Sequence, residues 1–331
     1  MRDQASNFSR WPQSGAALLL AMIILTLVST LAAGMVWHQH RAIEVEAAER
    51  ARTQAAWILN GALDWSRLIL REDANADSRQ TQKADHLGEP WATPLAEARL
   101  STFLAADKDN NADAGPEAFL SGAIVDAQSH YNLRNLVAPD GKLLPAEVAG
   151  FGRLCDAAGI SPEVASLLGQ KLRDAWAPGG SDGIEAPLAP TRVADLAWLQ
   201  VDAASVALLE KFVRILPSRT PINLNTAPRE VIVAGIDNLD LASAERVVQA
   251  RARQPLKGLD EVRTALGLPP EAKLDETRIG TTSRYFEVYG RLRLEERVLE
   301  ERSLVERRGP DRGSEVIAIQ RSRYSLPPQL R

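Results

Sequence analysis

Residues 15–37 read GAALLLAMIILTLVSTLAAGMVW, and this run decides the architecture. No charge interrupts the chain from Trp11 to Trp37. About 20 consecutive apolar residues cross the hydrocarbon core of a bilayer as a helix. Ser29 and Thr30 can return their hydroxyls to the preceding turn, so neither forbids a lipid environment. Three fates are open to such a segment. It can be a secretory signal, removed near Ala32, Ala33 and Gly34. It can be a plain signal anchor. It can also be a membrane helix freed from a short polar leader, residues 1–15, by a cut between Gly15 and Ala16. The leader carries Arg2 and Arg10. Arg41, Arg50 and Arg52 nearly balance them on the other side, so charge does not orient the span.

The residues after the run bear on these fates. From Arg41 to about Ile69 apolar residues recur at three- and four-residue steps: Ile43, Ala47, Ala51, Ala55, Ile58, Ala62 and Trp65. That spacing predicts an amphipathic helix continuing directly from the membrane segment. The polar stretch from Glu72 to Ala98 reads as loop. Strands are expected at Leu100–Leu104 and Ala118–Gln128, with Asn132 and Asn135 as a polar exit. From Leu144 to Leu268 the pattern is helical, with candidates at 145–158, 162–175, 191–199, 203–215, 228–234, 242–253 and 259–266. Ser161 and Thr226 stand where a hydroxyl caps a helix, each shortly before or beside a proline.

The pattern then changes. YFEVYGRLRL at 285–294 places Phe286, Val288, Leu292 and Leu294 on one strand face and Glu287, Tyr289, Arg291 and Arg293 on the other. The charged stretch from Arg291 to Arg308 reads as a wet sheet edge. A turn at 309–313 leads to a last strand, Val316–Gln320. Strands therefore flank a helical block. The economical topology is α+β: an antiparallel sheet packed on the N-terminal helix, interrupted by a large all-α insertion. The alternative is two domains in tandem. The divisions are a leader at 1–15, a transmembrane helix at 16–37 and its amphipathic continuation at 38–71. Residues 72–135 form the first part of the α/β head, 136–278 the insertion, and 279–331 the closing strands.

Composition excludes several roles. The chain has 331 residues, 45% of them hydrophobic, and a formal charge of −4. That charge argues against a polyanion-binding surface as its main business. Cys155 is the single cysteine, so no intrachain disulfide forms. The four histidines, His38, His40, His86 and His130, show no metal-ligand spacing. G-x-S-x-G, Walker and dinucleotide fingerprints are absent, and no catalytic residue stands out. The expectation is a protein that is not an enzyme.

A basic leader, a terminal Gly15, an uncharged helix and an amphipathic extension resemble a type IV pilin or type II secretion pseudopilin precursor. The chain as a whole resembles one family, the large minor pseudopilins called general secretion pathway protein K. The matching stretches are SGAALLLAMIILTLVSTLAA at 14–33, AIVDAQSHYNLRNL at 123–136, LPSRTPINLNTAPREVI at 216–232 and IGTTSRYFEV at 279–288. The resemblance implies a pilin-like fold with a SAM-like helical insertion. It implies prepilin peptidase cleavage after Gly15, with Ala16 as the first mature residue. Most pilin relatives carry Glu at the fifth mature position; here that position is Leu20, which fits a subunit with no neighbour above it. The implied role is to cap the tip of the periplasmic pseudopilus with the I- and J-type minor pseudopilins, from a single-pass anchor in the bacterial inner membrane. The outer-membrane secretin and exported proteins are further implied contacts.

Calcium is associated with the heads of this family. The acidic stretch expected near Leu172–Glu185 is reduced here to Asp174 and Asp182. A second candidate is DKDNNAD at 107–113. Its Asp107, Asp109, Asn111 and Asp113 have the alternating oxygen spacing of a calcium loop, without the central Gly or the twelfth-position Glu. A solvated polar turn is the plainer reading. The rival to the secretion reading comes from residues 221–262, which resemble helix-hairpin-helix modules that grip DNA backbones. The expected phosphate-holding turn is Gly235-Ile236-Asp237-Asn238, where a carboxylate stands at the second glycine position. The segment shows no positive surplus, so nucleic acid is not the expected partner.

Overall fold

The computed structural model describes residues 14–77, 83–101, 118–176, 187–294, 297–309 and 315–326. The chain divides into two compact units, Met1–Trp57 and Ile58–Arg331. A single helix, α1 (Ser14–Asp77), contributes to both. Within the first unit its apolar side chains from Leu18 to Trp37 are exposed. Thr26 and Thr30 donate their hydroxyls to the carbonyls of Ile23 and Leu27, each at 2.9 Å. Polar side chains are thereby satisfied inside the helix, as a lipid environment demands. Among the described residues this is the one helix long and apolar enough to span a membrane.

In the second unit α1 packs on a five-stranded antiparallel sheet. The strands are β1 (Leu95–Arg99), β2 (Ala118–Asp126), β7 (Tyr285–Leu294), β8 (Arg297–Arg308) and β9 (Glu315–Leu326), hydrogen-bonded in that order. The register sets Ile124 beside Val288 and Gly122 beside Gly290. Phe286, Val288, Ile124 and Val305 face Leu63 and Leu70 of α1, with Trp91 closing the layer. Trp91 meets the Phe286 ring edge-on, centroids 5.2 Å apart. Burying a side chain of this size contributes about 1.5–3 kcal/mol.

The buried stripe of α1 keeps Ala55 of the expected set but is otherwise displaced from it. Leu59, Leu63 and Leu70 are buried, whereas Trp65 is 64% exposed. The reason lies in the sheet. A Cβ on Gly290 would stand 3.2 Å from the Leu59 Cδ2. The missing side chain leaves a notch that Leu59 fills, and this fixes which face of the helix turns inward.

Other expectations are also corrected. α1 runs to Asp77, so the polar segment after Glu72 is helical at its start. A strand occupies Leu95–Arg99; of the strand expected at Leu100–Leu104, Leu100 and Ser101 are helical and the rest lies outside the described residues. LAEAR carries too little apolar alternation to announce itself. The charged strand β8 is not an edge; it lies between β7 and β9. Its buried carboxylates are matched by arginines from β9, from the residue before β7 and from its own end. Glu301 pairs with Arg321 and Arg323, and Glu306 pairs with Arg284 and Arg308.

Between β2 and β7 the chain forms the helical insertion. Its helices are α2 (Pro145–Ala158), α3 (Pro162–Trp176), α4 (Ala203–Leu209), α5 (Arg229–Gly235), α6 (Leu241–Arg253) and α7 (Leu259–Leu266). Residues Val193–Leu199, expected as α-helix, form a 3-10 helix. Two short parallel pairs interrupt the block: β3 (Tyr131–Asn132) with β4 (Val213–Arg214), and β5 (Ile222–Asn223) with β6 (Ile279–Gly280). The predicted helix at 203–215 stops early because Val213 and Arg214 join this pairing. Phe151, Leu154, Leu168, Leu196 and Val231 anchor a shared core, as helices this short require. The Ser161 hydroxyl accepts from the Glu163 N–H at 3.3 Å, as a cap should. Thr226 does not cap; its hydroxyl is drawn elsewhere.

Candidate functional site

Three of the four matching stretches meet where the insertion joins the sheet. β2 ends at Asp126, β5 brings Asn223, the turn after it brings Thr226, and the segment before β7 brings Ser283. The Asp126 carboxylate accepts from Thr226 Oγ1 at 2.6 Å, Ser283 Oγ at 2.6 Å and Asn223 Nδ2 at 2.9 Å. Its other oxygen accepts from the Gln128 N–H at 2.8 Å. Asp126 is fully buried, and burial pushes its pKa up to about 6 despite these donors. Gln128 reaches the carbonyls of Pro221 and Thr282, and accepts from the Arg284 N–H. Asn132 and Asn135 are not a polar exit. Both are buried; Asn132 donates to the Ser218 carbonyl and Thr220 Oγ1, and Asn135 to the Thr220 carbonyl. These amides satisfy buried backbone groups of residues 216–221 and 282–285.

A carboxylate cluster borders this junction. Asp73 at the end of α1, Asp85 and Glu89 place carboxylate oxygens within 4.8 Å of one another. Arg307 of β8 reaches into the cluster. It donates to Asp73 at 3.1 Å and to both oxygens of Asp85 at 2.5 and 2.6 Å. The Ser283 N–H donates to Asp85 at 2.6 Å. Glu89 accepts from Trp91 Nε1 at 2.6 Å and from the His86 N–H at 3.0 Å. Burial, with Asp73 and Asp85 adding repulsion, raises the Glu89 pKa to about 7. The guanidinium supplies the positive charge that a metal ion would otherwise bring. No sequence pattern pointed to Asp73, Asp85, Glu89 or Arg307.

The hairpin that the rival reading would turn towards a phosphate is engaged within the chain. Asp237, after α5, accepts from Arg278 at 2.8 Å and Arg153 at 2.9 Å. Arg278 also donates to the Ala234 carbonyl at 2.7 Å, and Arg153 to the Val233 carbonyl at 3.1 Å. The two guanidiniums hold the Asp237 carboxyl below its ordinary range, so a negative charge sits at the turn.

The remaining predicted residues are scattered along the chain. Gly15 and Ala16 lie in the first turn of α1, and Leu20 is exposed on it. Asp174, near the end of α3, accepts from Arg173 at 2.9 and 2.8 Å. Calcium at Asp174 would need donors from beyond the described residues, where Asp182 lies. Asp107, Asp109, Asn111 and Asp113 also lie outside the described residues. Over the head, α1 turns Gly61, Trp65 and Leu68 outward, opposite its buried leucines.

A family model described as type II secretion system (T2SS), protein K, matches residues 222–282. A type II secretion system protein K from Pseudomonas aeruginosa is 30% identical, covering 86% of this chain and 86% of the relative. One from Klebsiella pneumoniae is 27% identical over 80% of this chain and 82% of its own. The fold is similar to a chain in the crystal structure of the GspK-GspI-GspJ complex from enterotoxigenic Escherichia coli. The TM-score is 0.58 at 18% identity, over 84% of this chain and 98% of that one. This chain belongs to the type II secretion system protein K family.

Proposed function

We propose that this chain is the tip-capping subunit of the periplasmic pseudopilus, assembled with I- and J-type minor pseudopilins and supporting export across the outer membrane. The observation that carries the reading is α1. Its apolar stretch is left exposed from Leu18 to Trp37, and over the head it still presents Trp65 and Leu68 to solvent. A helix apolar outside its own packing face calls for lipid along one part and partners along another. A relative of this fold forms a complex with GspI and GspJ. In the same reading the span lies in the inner membrane with its head in the periplasm. Prepilin peptidase cuts after Gly15, and the uncharged Leu20 leaves no carboxylate to receive a further subunit. Calcium at Asp107, Asp109, Asn111 and Asp113, or at Asp174 and Asp182, remains part of the proposal. The bulky insertion then closes the filament end.

A Gly15→Leu variant tests the anchor. The expected result is an unprocessed precursor by mass spectrometry and loss of secretion. Mature-sized protein beginning at Ala16, with secretion intact, would overturn the reading.

A further inference from the structure

We propose that a cavity between the insertion and the outer face of β8 and β9 receives the chain end of a partner polypeptide, with its terminal carboxylate on Arg134 and its apolar last side chain against Trp176. Leu304 lies on this face, because it alternates along β8 with Val305, which faces α1. The cavity measures about 220 Å³, and Trp176, Ile215, Leu216, Leu304 and Ile319 give it an apolar wall. An engineered apolar cavity of about 150 Å³ holds a benzene ring. This one therefore has room for an aromatic or branched side chain together with a carboxylate.

Arg134 is fixed in the wall by its own backbone. It belongs to the 3-10 helix Leu133–Leu136, whose other three residues are buried, and the Asn132 side chain accepts from the Arg134 N–H at 3.0 Å. The guanidinium carbon lies 4.7 Å from the centroid of the Trp176 ring, at the end of α3. A ring engages the face of a guanidinium, but its N–H edge still calls for acceptors. Among the described residues no group accepts from that edge. Burial lowers the Arg134 pKa, and no carboxylate opposes the shift. The arginines of the adjoining cavity differ: Arg192, Arg214 and Arg302 are paired with Asp195, Glu287 and Glu300. A single unanswered guanidinium in an apolar wall suits a monoanion with two oxygens side by side, which is what a chain end carries. Gln320 of β9 lines the same cavity, and its carboxamide has no hydrogen-bond partner among the described residues.

The neighbouring space favours a polypeptide over a small acid. The adjoining cavity, about 230 Å³, shares Thr191, Ile215, Leu216, Leu304 and Gln320 with the first and reaches on to Tyr289 and Tyr324. Two linked cavities suit an extended chain, with its last residue in one and the preceding residues in the other. Glu210 lines the second cavity, so those preceding residues should carry no carboxylate.

Calorimetric titration of the full chain in detergent micelles tests the assignment. The probe is acetyl-Ala-Ala-Ala-Ala-Phe with a free carboxylate, set against the same peptide ending in an amide. The acid-ended peptide is expected to bind roughly tenfold or more tightly than the amide. Arg134→Gln should remove that preference, with an unchanged melting curve showing that the fold is intact. Should that variant not fold, Gln320→Glu puts a carboxylate into the same cavity and should abolish binding. Hydrocinnamate, which keeps the ring and the carboxylate but lacks the preceding chain, should bind more weakly than the peptide. Equal affinity for the two peptides, binding of neither, a preference that survives the substitutions, or hydrocinnamate binding as tightly as the peptide overturns the proposal.

Discussion

Beneath α1 the sheet buries a single layer, with Leu63 and Leu70 of the helix on one side and Ile124, Phe286, Val288 and Val305 on the other. The insertion buries side chains from each of its helices, in a core that runs from Tyr131 to Ile279. One region depends on an element shared with the membrane segment; the other closes around itself. Between them lie the polar network and a small separate apolar cluster of Ala127, Leu216 and Tyr285. The difference teaches that sheet and insertion can respond separately to damage, with the junction setting how far one feels the other.

The strongest test removes the centre of the thin layer. Phe286→Ala should cost about 4 kcal/mol, combining lost burial with a cavity that two flat surfaces cannot close. Urea unfolding followed by hydrogen exchange should show the strands opening first while α2 and α5 stay protected. Simultaneous loss of both regions would break the comparison. Next comes the insertion's own polar anchor. Arg278 lies buried beside Glu147, Nε to Oε1 3.6 Å, and also holds Asp237. Arg278→Ala should cost about 3 kcal/mol, since it strands a buried carboxylate. Here α2 and α5 should lose protection while β7 and β8 keep theirs. The smallest effect is expected at the helix seat. Gly290→Ala should cost about 1 kcal/mol, because the flexible end of Leu59 can give way. A melt unchanged by this substitution would show that the notch does not fix the helix.

How much of this was legible in the sequence depended on how local the cause was. The 3.6-residue period announced α1, and strict alternation in YFEVYGRLRL announced β7. The choice between Trp65 and Leu63 as the inward residue was not legible, because a glycine more than 200 residues away makes it. β8 hid for a related reason. Glu301 and Glu306 read as solvated until Arg323 and Arg284 arrive from other parts of the chain. Asp85 and Arg307 stand 222 residues apart, each in an unremarkable polar stretch. Thr226 occupies a good capping position, but a buried carboxylate competes for its hydroxyl and prevails. The motif stretches were visible as strings; that three of them form one junction was not.

Trp91 gives the molecule a built-in optical reporter. Its indole is 1% exposed, packed on Phe286 and bonded to Glu89, whereas Trp57, Trp65 and Trp198 are open to water. An aqueous quencher such as iodide will silence the open indoles, and the difference from a Trp91→Phe variant separates this one from the half-buried Trp176 and from Trp37 in the apolar span. That difference reports on the surroundings of the Glu89 carboxylate, without any label attached to the chain.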